Sequence, residues 1–159
     1  MRAFTLVEIL IVAVIFSFLA LGITQVVNLG NVTFPVDLAQ IQLQQQTRQA
    51  MQWMTRELRQ ASNPLITGGN RITFDSFSDA GLTYYLDTAD ANGDGLVNQI
   101  LREFPAGSRR IMANHITSLA FTPDGAPIRL IRIDINAGRT ILGKALDFSL
   151  VEQVRLRNE

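Results

Sequence analysis

The stretch FTLVEILIVAVIFSFLALGI, residues 4–23, decides the fold of this chain, because it is a nearly continuous apolar run that begins at the fourth position. A helix rises about 1.5 Å per residue, so a helix of this length spans roughly 30 Å, the thickness of a bilayer's hydrocarbon core. The run therefore predicts one membrane-spanning helix. A single carboxylate, Glu8, lies inside it, and an ionised carboxylate is costly to hold in lipid. Its position requires a physical reason.

Composition limits what the rest of the chain can be. The 159 residues leave room for one small globular head after the apolar run. Basic and acidic residues number 14 each, so the formal net charge is zero and no basic surplus predicts nucleic-acid binding. Cysteine is absent, which removes disulfides, thiol catalysis and cysteine metal ligands. We expect a head that is held together by packing alone.

The beginning of the apolar run carries a recognisable pattern. Residues 3–8, AFTLVE, followed by an unbroken hydrophobic helix, resemble the N-terminal signature of type IV pilins and type II secretion pseudopilins. The resemblance implies that a prepilin peptidase cleaves between Ala3 and Phe4 and N-methylates Phe4, and that Glu8 is retained as the fifth mature residue. The family usually has Gly where this chain has Ala3. The short leader also leaves open a start further upstream.

The resemblance also implies a location and partners. Such a subunit spans the bacterial inner membrane once with a periplasmic head, and an inner-membrane assembly platform then stacks it with other pilin or pseudopilin subunits into a pilus or pseudopilus. In the fibre, the amine of Phe4, from the same or a neighbouring subunit, would pair with Glu8. Later segments are loosely similar to W-type minor pilins and J-type pseudopilins, which implies a minor subunit in a tip or priming complex.

Alternatives to this interpretation belong to other classes of protein. One is an ordinary signal anchor with an accidental acidic residue. A second is an exported adhesin or DNA-uptake subunit on the same scaffold. A third is an uncleaved, membrane-anchored periplasmic enzyme, although the sequence offers no catalytic motif: His115 is the only histidine, and no glycine-rich phosphate loop or nucleophile elbow is present. We therefore expect a non-enzymatic protein.

The segment after the apolar run predicts a change of direction and a second helical part. Gly30 and Pro35 predict a bend or a melted turn. From Asp37, a candidate N-cap, apolar side chains recur three and four residues apart to position 61, which predicts an amphipathic helix with Trp53 in the core. The expected organisation is a leader at 1–3, a transmembrane and assembly helix at 4–29, a kink and amphipathic helix at 30–63, and a β-rich head at 64–159.

Alternating apolar residues predict strands in the head. The predicted strands are residues 71–75, 82–86, 99–104, 116–122, 131–135 and 154–156, with turns at residues 123–125 and 136–138. The fold class is therefore α+β: a long N-terminal hydrophobic helix continues with a kink into an amphipathic helix that packs on a small antiparallel sheet.

One loop resembles half of a calcium site. Asp90, Asn92 and Asp94 occupy the first, third and fifth positions of a calcium loop, and Asn98 occupies the ninth. The twelfth position holds Leu101 where a bidentate glutamate is required. A plain polar loop between two strands explains the same residues, so the sequence predicts no firm cofactor and leaves calcium open.

The distal half of the chain is rich in arginine. Alternation along strands predicts that these side chains lie on a solvated face, and a polar rim between subunits is the alternative. The residues concerned are Arg109, Arg110, Arg129, Arg132, Arg139, Arg155 and Arg157.

Overall fold

The computed structural model describes residues 5–77 and 79–157. Over these residues the chain forms one helix and eight strands in an α+β fold, as the sequence predicts. Helix α1 spans Leu6–Leu58. The strands are β1 Ser62–Thr67, β2 Arg71–Asp75, β3 Leu82–Asp87, β4 Gln99–Glu103, β5 Arg109–Ala113, β6 Ile116–Asp124, β7 Leu130–Ile141 and β8 Lys144–Arg155. The chain divides into two compact units after Leu38.

Helix α1 is uninterrupted where the sequence predicts a turn. Gly30 and Pro35 both lie inside it, so the predicted melted turn and the N-cap at Asp37 are wrong. Proline removes only one intrahelical hydrogen bond, and the cooperative helix on both sides can tolerate that loss. The helix ends at Leu58, before the predicted boundary at residue 63, and Ser62 to Pro64 already belong to β1.

The strands form two antiparallel sheets where the sequence predicts one. The first has the order β1-β2-β3-β4-β5 and the second has the order β6-β7-β8. Backbone hydrogen bonds connect them: the N–H of Phe121 donates to the Gly69 carbonyl over 2.7 Å, and that of Ile116 donates to the Asn98 carbonyl over 2.8 Å. Each predicted strand overlaps an observed one, but residues 104 and 156 lie just outside β4 and β8, and β1, β5 and most of β8 were not predicted.

The long β7–β8 hairpin corrects a predicted turn. The sequence places a turn at residues 136–138, but β7 continues to Ile141, and the chain reverses at Leu142 and Gly143, whose φ angles are 49° and 78°. Two successive positive φ angles are the geometry of a tight hairpin turn. Gly138 lies inside β7. A glycine fits there because a Cβ would lie 3.0 Å from an Asp147 carboxylate oxygen and 3.1 Å from a Thr117 methyl carbon.

The core of the second compact unit joins the end of α1 to the sheets. Met54 and Leu58 of the helix are fully buried, as are Ile72 of the first sheet and Ile133 of the second. Trp53 is 40% exposed, so its predicted place in the core is wrong, and the Arg110 guanidinium lies 5.8 Å from the centroid of its ring. Burying each large apolar side chain contributes about 1.5–3 kcal/mol. This packing holds the end of α1 against the sheets and so fixes the positions of the polar groups in the head.

Candidate assembly site

The N-terminal part of α1 exposes a continuous apolar surface. Every large apolar side chain from Leu6 to Leu29 is exposed, and none of the most apolar 18-residue window is buried. By length and composition, α1 is the one helix of the described residues that could cross a membrane. Apolar surface of this extent is not left in water by soluble monomers. It requires a cover of lipid or of other helices.

Hydroxyl groups within this surface are satisfied by the helix itself. The Ser17 hydroxyl donates to the Ala13 carbonyl over 2.8 Å, and the Thr33 hydroxyl donates to the Leu29 carbonyl over 2.8 Å. Such internal bonds lower the cost of placing a hydroxyl in an apolar medium. Glu8 is then the only charged side chain between residues 5 and 34.

Glu8 lies in the first turn of α1, where Thr5 caps the helix. The Glu8 N–H donates to the Thr5 carbonyl over 3.1 Å and to the Thr5 hydroxyl oxygen over 3.3 Å. The pair has the Thr-x-x-Glu spacing of a capping box, a signal that the sequence analysis missed. A carboxylate in the first turn also interacts favourably with the helix dipole. Glu8 therefore has a local role in addition to the predicted intersubunit one.

Ala3 and Phe4, the residues on either side of the predicted cleavage point, lie outside the described residues. The processing and methylation of Phe4 therefore stay predictions.

The predicted calcium residues lie in the polar loop between β3 and β4, where Asp90 and Asp94 accept hydrogen bonds from loop N–H groups and the buried Asp90 Oδ1 has no hydrogen-bond partner. Asp90 Oδ2 accepts from the Gly95 N–H over 3.1 Å, and Asp94 Oδ1 accepts from the Leu96 N–H over 2.9 Å. Asn98 has a positive φ of 63°, and its backbone N–H donates to the Asp87 carbonyl over 2.7 Å. These bonds define a polar turn.

Buried Gln99 holds this loop to the head. Its Nε2 donates to Asp94 Oδ2 over 2.9 Å and to Asn114 Oδ1 over 2.8 Å, while its Oε1 accepts from Asn92 Nδ2 over 3.0 Å. Amide N–H groups thus occupy the side of Asp94 that a cation would need. Among the described residues no group of three or more carboxylate or imidazole side chains converges on a metal position. The calcium site therefore stays a prediction, and we derive no step from it.

Two further polar groups lie in the head. Glu57, Tyr84 and Arg102 form a cluster in which the Arg102 Nε lies 3.1 Å from the Glu57 carboxylate. His115 lies just before β6 with a φ of 60°, and burial together with the Arg139 charge lowers its pKa. The cluster joins the helix to the first sheet, which is a structural role.

The arginines of the distal half do not form one face. Arg109 pairs with Glu103 and Arg132 pairs with Asp134. Arg129, Arg155 and Arg157 instead line a common pocket with Arg56 of the helix and Arg59 just after it, which the sequence analysis did not associate with them.

The long apolar N-terminal helix and the antiparallel sheets give the chain a pilin-like architecture. No protein-family model, no curated protein and no solved structure matches it.

Proposed function

We propose that this protein is a non-enzymatic structural subunit, a minor pilin or pseudopilin, that assembles through its N-terminal helix into a type IV pilus or a type II secretion pseudopilus. The observation that carries the proposal is the exposed apolar surface of α1, whose only charge is Glu8 in the first turn. The membrane covers this surface before assembly, and helices of other subunits cover it afterwards.

Glu8 distinguishes an assembly helix from a simple anchor. An anchor gains nothing from a carboxylate at membrane depth beyond its local cap, because holding the charge in lipid is costly. In a bundle of such helices the amine of processed Phe4 is a cation that can pair with it. Removing one partner of a buried ion pair costs about 3–5 kcal/mol, enough to select correctly docked subunits.

Processing is tested by coexpressing the full chain with a prepilin peptidase and determining the mass of the mature N-terminus. We expect N-methylated Phe4 as the first residue. Coexpression with a catalytically inactive peptidase is the control and should leave Met1 in place. Retention of Met1 with the active peptidase would contradict the proposal.

Assembly is tested by placing a photo-crosslinking amino acid at position 15, where Ile15 is 54% exposed on α1. In cells with a complete pilus or secretion apparatus we expect crosslinks to other subunits. Position 142 is the control, because Leu142 is 67% exposed at the β7–β8 turn. Lipid adducts alone at position 15 would identify a membrane anchor and remove the assembly role.

A further inference from the structure

A pocket of about 870 Å³ lies at the end of α1, beside β8 and the residues that follow it. Its lining includes Arg56 of the helix, Arg59 just after it, Arg129 just before β7, Arg155 at the end of β8, and Arg157. We name it the arginine pocket. Glu152 is the only acidic side chain among its described lining residues.

Backbone hydrogen bonds bring these arginines together. The N–H of Arg157 donates to the Arg59 carbonyl over 3.1 Å, which joins the chain after β8 to the end of the helix. The N–H of Leu156 donates to the Arg129 carbonyl over 2.9 Å. The convergence of positive charge is therefore fixed by the fold, so an anion that binds there meets a prearranged site.

The charge of the pocket favours an anion with several negative charges. Even with Arg129 left out of the count, the described lining residues carry four guanidinium groups against the one carboxylate of Glu152, an excess of three positive charges. Like charges held close together repel, and a bound polyanion relieves this repulsion. A guanidinium group binds two phosphate oxygens through two parallel N–H bonds. A compound with several phosphate oxygens can therefore bind more than one of these arginines in this way.

Thr55 provides an independent observation that points to a ligand. It lines the pocket, is 5% exposed, and its hydroxyl oxygen has no hydrogen-bond partner. Two turns earlier on α1, the buried Thr47 hydroxyl donates to the Leu43 carbonyl over 2.8 Å, which is the ordinary solution for a threonine in a helix. An unsatisfied buried hydroxyl is costly, and a ligand oxygen that accepts from it removes the cost.

We propose that the arginine pocket binds a phosphate-bearing anion of small-molecule size, with the guanidinium groups holding phosphate oxygens and the Thr55 hydroxyl donating to one of them. Its volume falls within the range of small-molecule sites, roughly 300–1,000 Å³. The phosphate is carried either by a soluble compound or by a lipid headgroup. This binding activity is separate from the proposed assembly through α1.

The site is tested by calorimetric titration of the full chain in non-ionic detergent with pyrophosphate. Arg56→Gln/Arg59→Gln should weaken binding at least about tenfold, since it removes two charge-assisted contacts. Arg71→Gln/Lys144→Gln is the matched control, because it removes the same charge outside the pocket and should leave the affinity unchanged. Absence of pyrophosphate binding to the wild type, or equal weakening in the control, would overturn the proposal.

Two further variants separate a shaped site from charge attraction. Arg56→Lys/Arg59→Lys keeps the charge but loses the planar fork, so we expect weaker binding than the wild type. Thr55→Val keeps both shape and charge and should weaken pyrophosphate binding several-fold. Wild-type affinity in both variants would show counterion attraction alone and would overturn the site.

The source of the phosphate is decided by parallel titrations with inorganic phosphate and with short-chain phosphatidic acid and phosphatidylglycerol. Binding of pyrophosphate and inorganic phosphate alone identifies a soluble ligand, whereas tighter binding of the short-chain lipids, lost in Arg56→Gln/Arg59→Gln, identifies a headgroup. Polyglutamate or a DNA oligonucleotide that binds more tightly than either would overturn the assignment to a small phosphate compound. The arginine variants should still crosslink from position 15 to other subunits as the wild type does. That result would show that assembly through α1 does not depend on phosphate binding.

Discussion

The Tyr84 hydroxyl donates a 2.6 Å hydrogen bond to Glu57 Oε2, and it does so from a fully buried position. Glu57 lies on α1 and Tyr84 on β3, so this bond joins the helix to the centre of the five-stranded sheet. Arg102, which faces Tyr84 across the β3–β4 pair, donates to the same carboxylate. The side chains of Glu57 and Arg102 are 18% and 21% exposed, so solvent screens their interaction only in part.

Tyr84→Phe should lower the free energy of unfolding by about 2 kcal/mol, because it removes a hydrogen bond to a charged acceptor in a buried position. Denaturant unfolding of the full chain in detergent, followed by the fluorescence of its only tryptophan, Trp53, measures the change. In a double-mutant cycle with Glu57→Gln we expect the two losses to be non-additive, since phenylalanine removes the donor of this bond and glutamine replaces its charged acceptor by a neutral one. Strict additivity would mean that the bond contributes nothing.

The same bond predicts a dependence on alkaline pH. Burial, and then the hydrogen bond to Glu57, raise the pKa of Tyr84 above its ordinary value of 10.0. The unfolded chain therefore releases this proton first, so the stabilisation is complete below about pH 10 and is lost as the pH rises toward the folded-state pKa.

Tyr84→Phe should flatten this alkaline loss of stability. Burial also raises the pKa of Tyr85, so part of the slope should remain. Denaturant unfolding of the wild type and the variant at about pH 8 and about pH 11 provides the comparison. An unchanged slope would assign the whole effect to other groups.

The strands of the head can be predicted from the sequence where one face of the strand is buried and the other is exposed. In β2, buried Ile72 and Phe74 alternate with more exposed residues, and that period of two is what predicts a strand. In β5, Arg109, Arg110 and Ile111 are all exposed, so no alternation marks the strand. It exists because its backbone pairs with β4, a tertiary contact that single-residue patterns do not encode.

The candidate sites divide in a similar way. Glu8 stands out in the sequence because a charge in an apolar run is rare, and Thr5 three residues earlier is a local signal that could also have been found. The arginine pocket had no such signal. Arg59 and Arg157 are far apart in sequence, and only the backbone hydrogen bond between them reveals that they lie in one pocket.

Asp94→Ala should shift the denaturation midpoint equally with calcium and with chelator, because the carboxylate accepts from Gln99 and from the Leu96 N–H. Both bonds lower the pKa of Asp94, and the bond from Gln99 has the larger effect. Their stabilisation is present above the ordinary pKa and is lost as the pH falls through the folded-state pKa. A destabilisation seen in calcium buffer alone would contradict this expectation and support the calcium site.

Thr55→Val should raise the free energy of unfolding by about 1 kcal/mol in the absence of a ligand, since it removes an unsatisfied buried hydroxyl without changing the side-chain shape. Thr47→Val is the matched control, because its hydroxyl is already bonded and its removal should bring no gain. Denaturant unfolding in phosphate-free buffer measures both. A loss of stability in Thr55→Val would show that the hydroxyl has a partner after all.

The two roles of Glu8 are separated by a series of variants in the first turn of α1. Glu8→Gln keeps a residue suited to the capping box but removes the charge, whereas Glu8→Ala removes both. If the charge pairs with a neighbouring amine, both variants should fail to enter filaments, because the remaining partner would be buried alone at a cost of about 3–5 kcal/mol.

The incorporation of these variants is measured as the share of subunit in sheared filaments or in the purified secretion apparatus, relative to the share in the membrane. Thr5→Ala is the control, because it removes the capping hydroxyl and leaves the charge, and it should assemble nearly as the wild type does. Trp53 fluorescence should show a folded head in every variant. Wild-type incorporation of Glu8→Gln would mean that Glu8 acts only as a helix cap, since a glutamine at this position can still cap the helix but cannot form an ion pair.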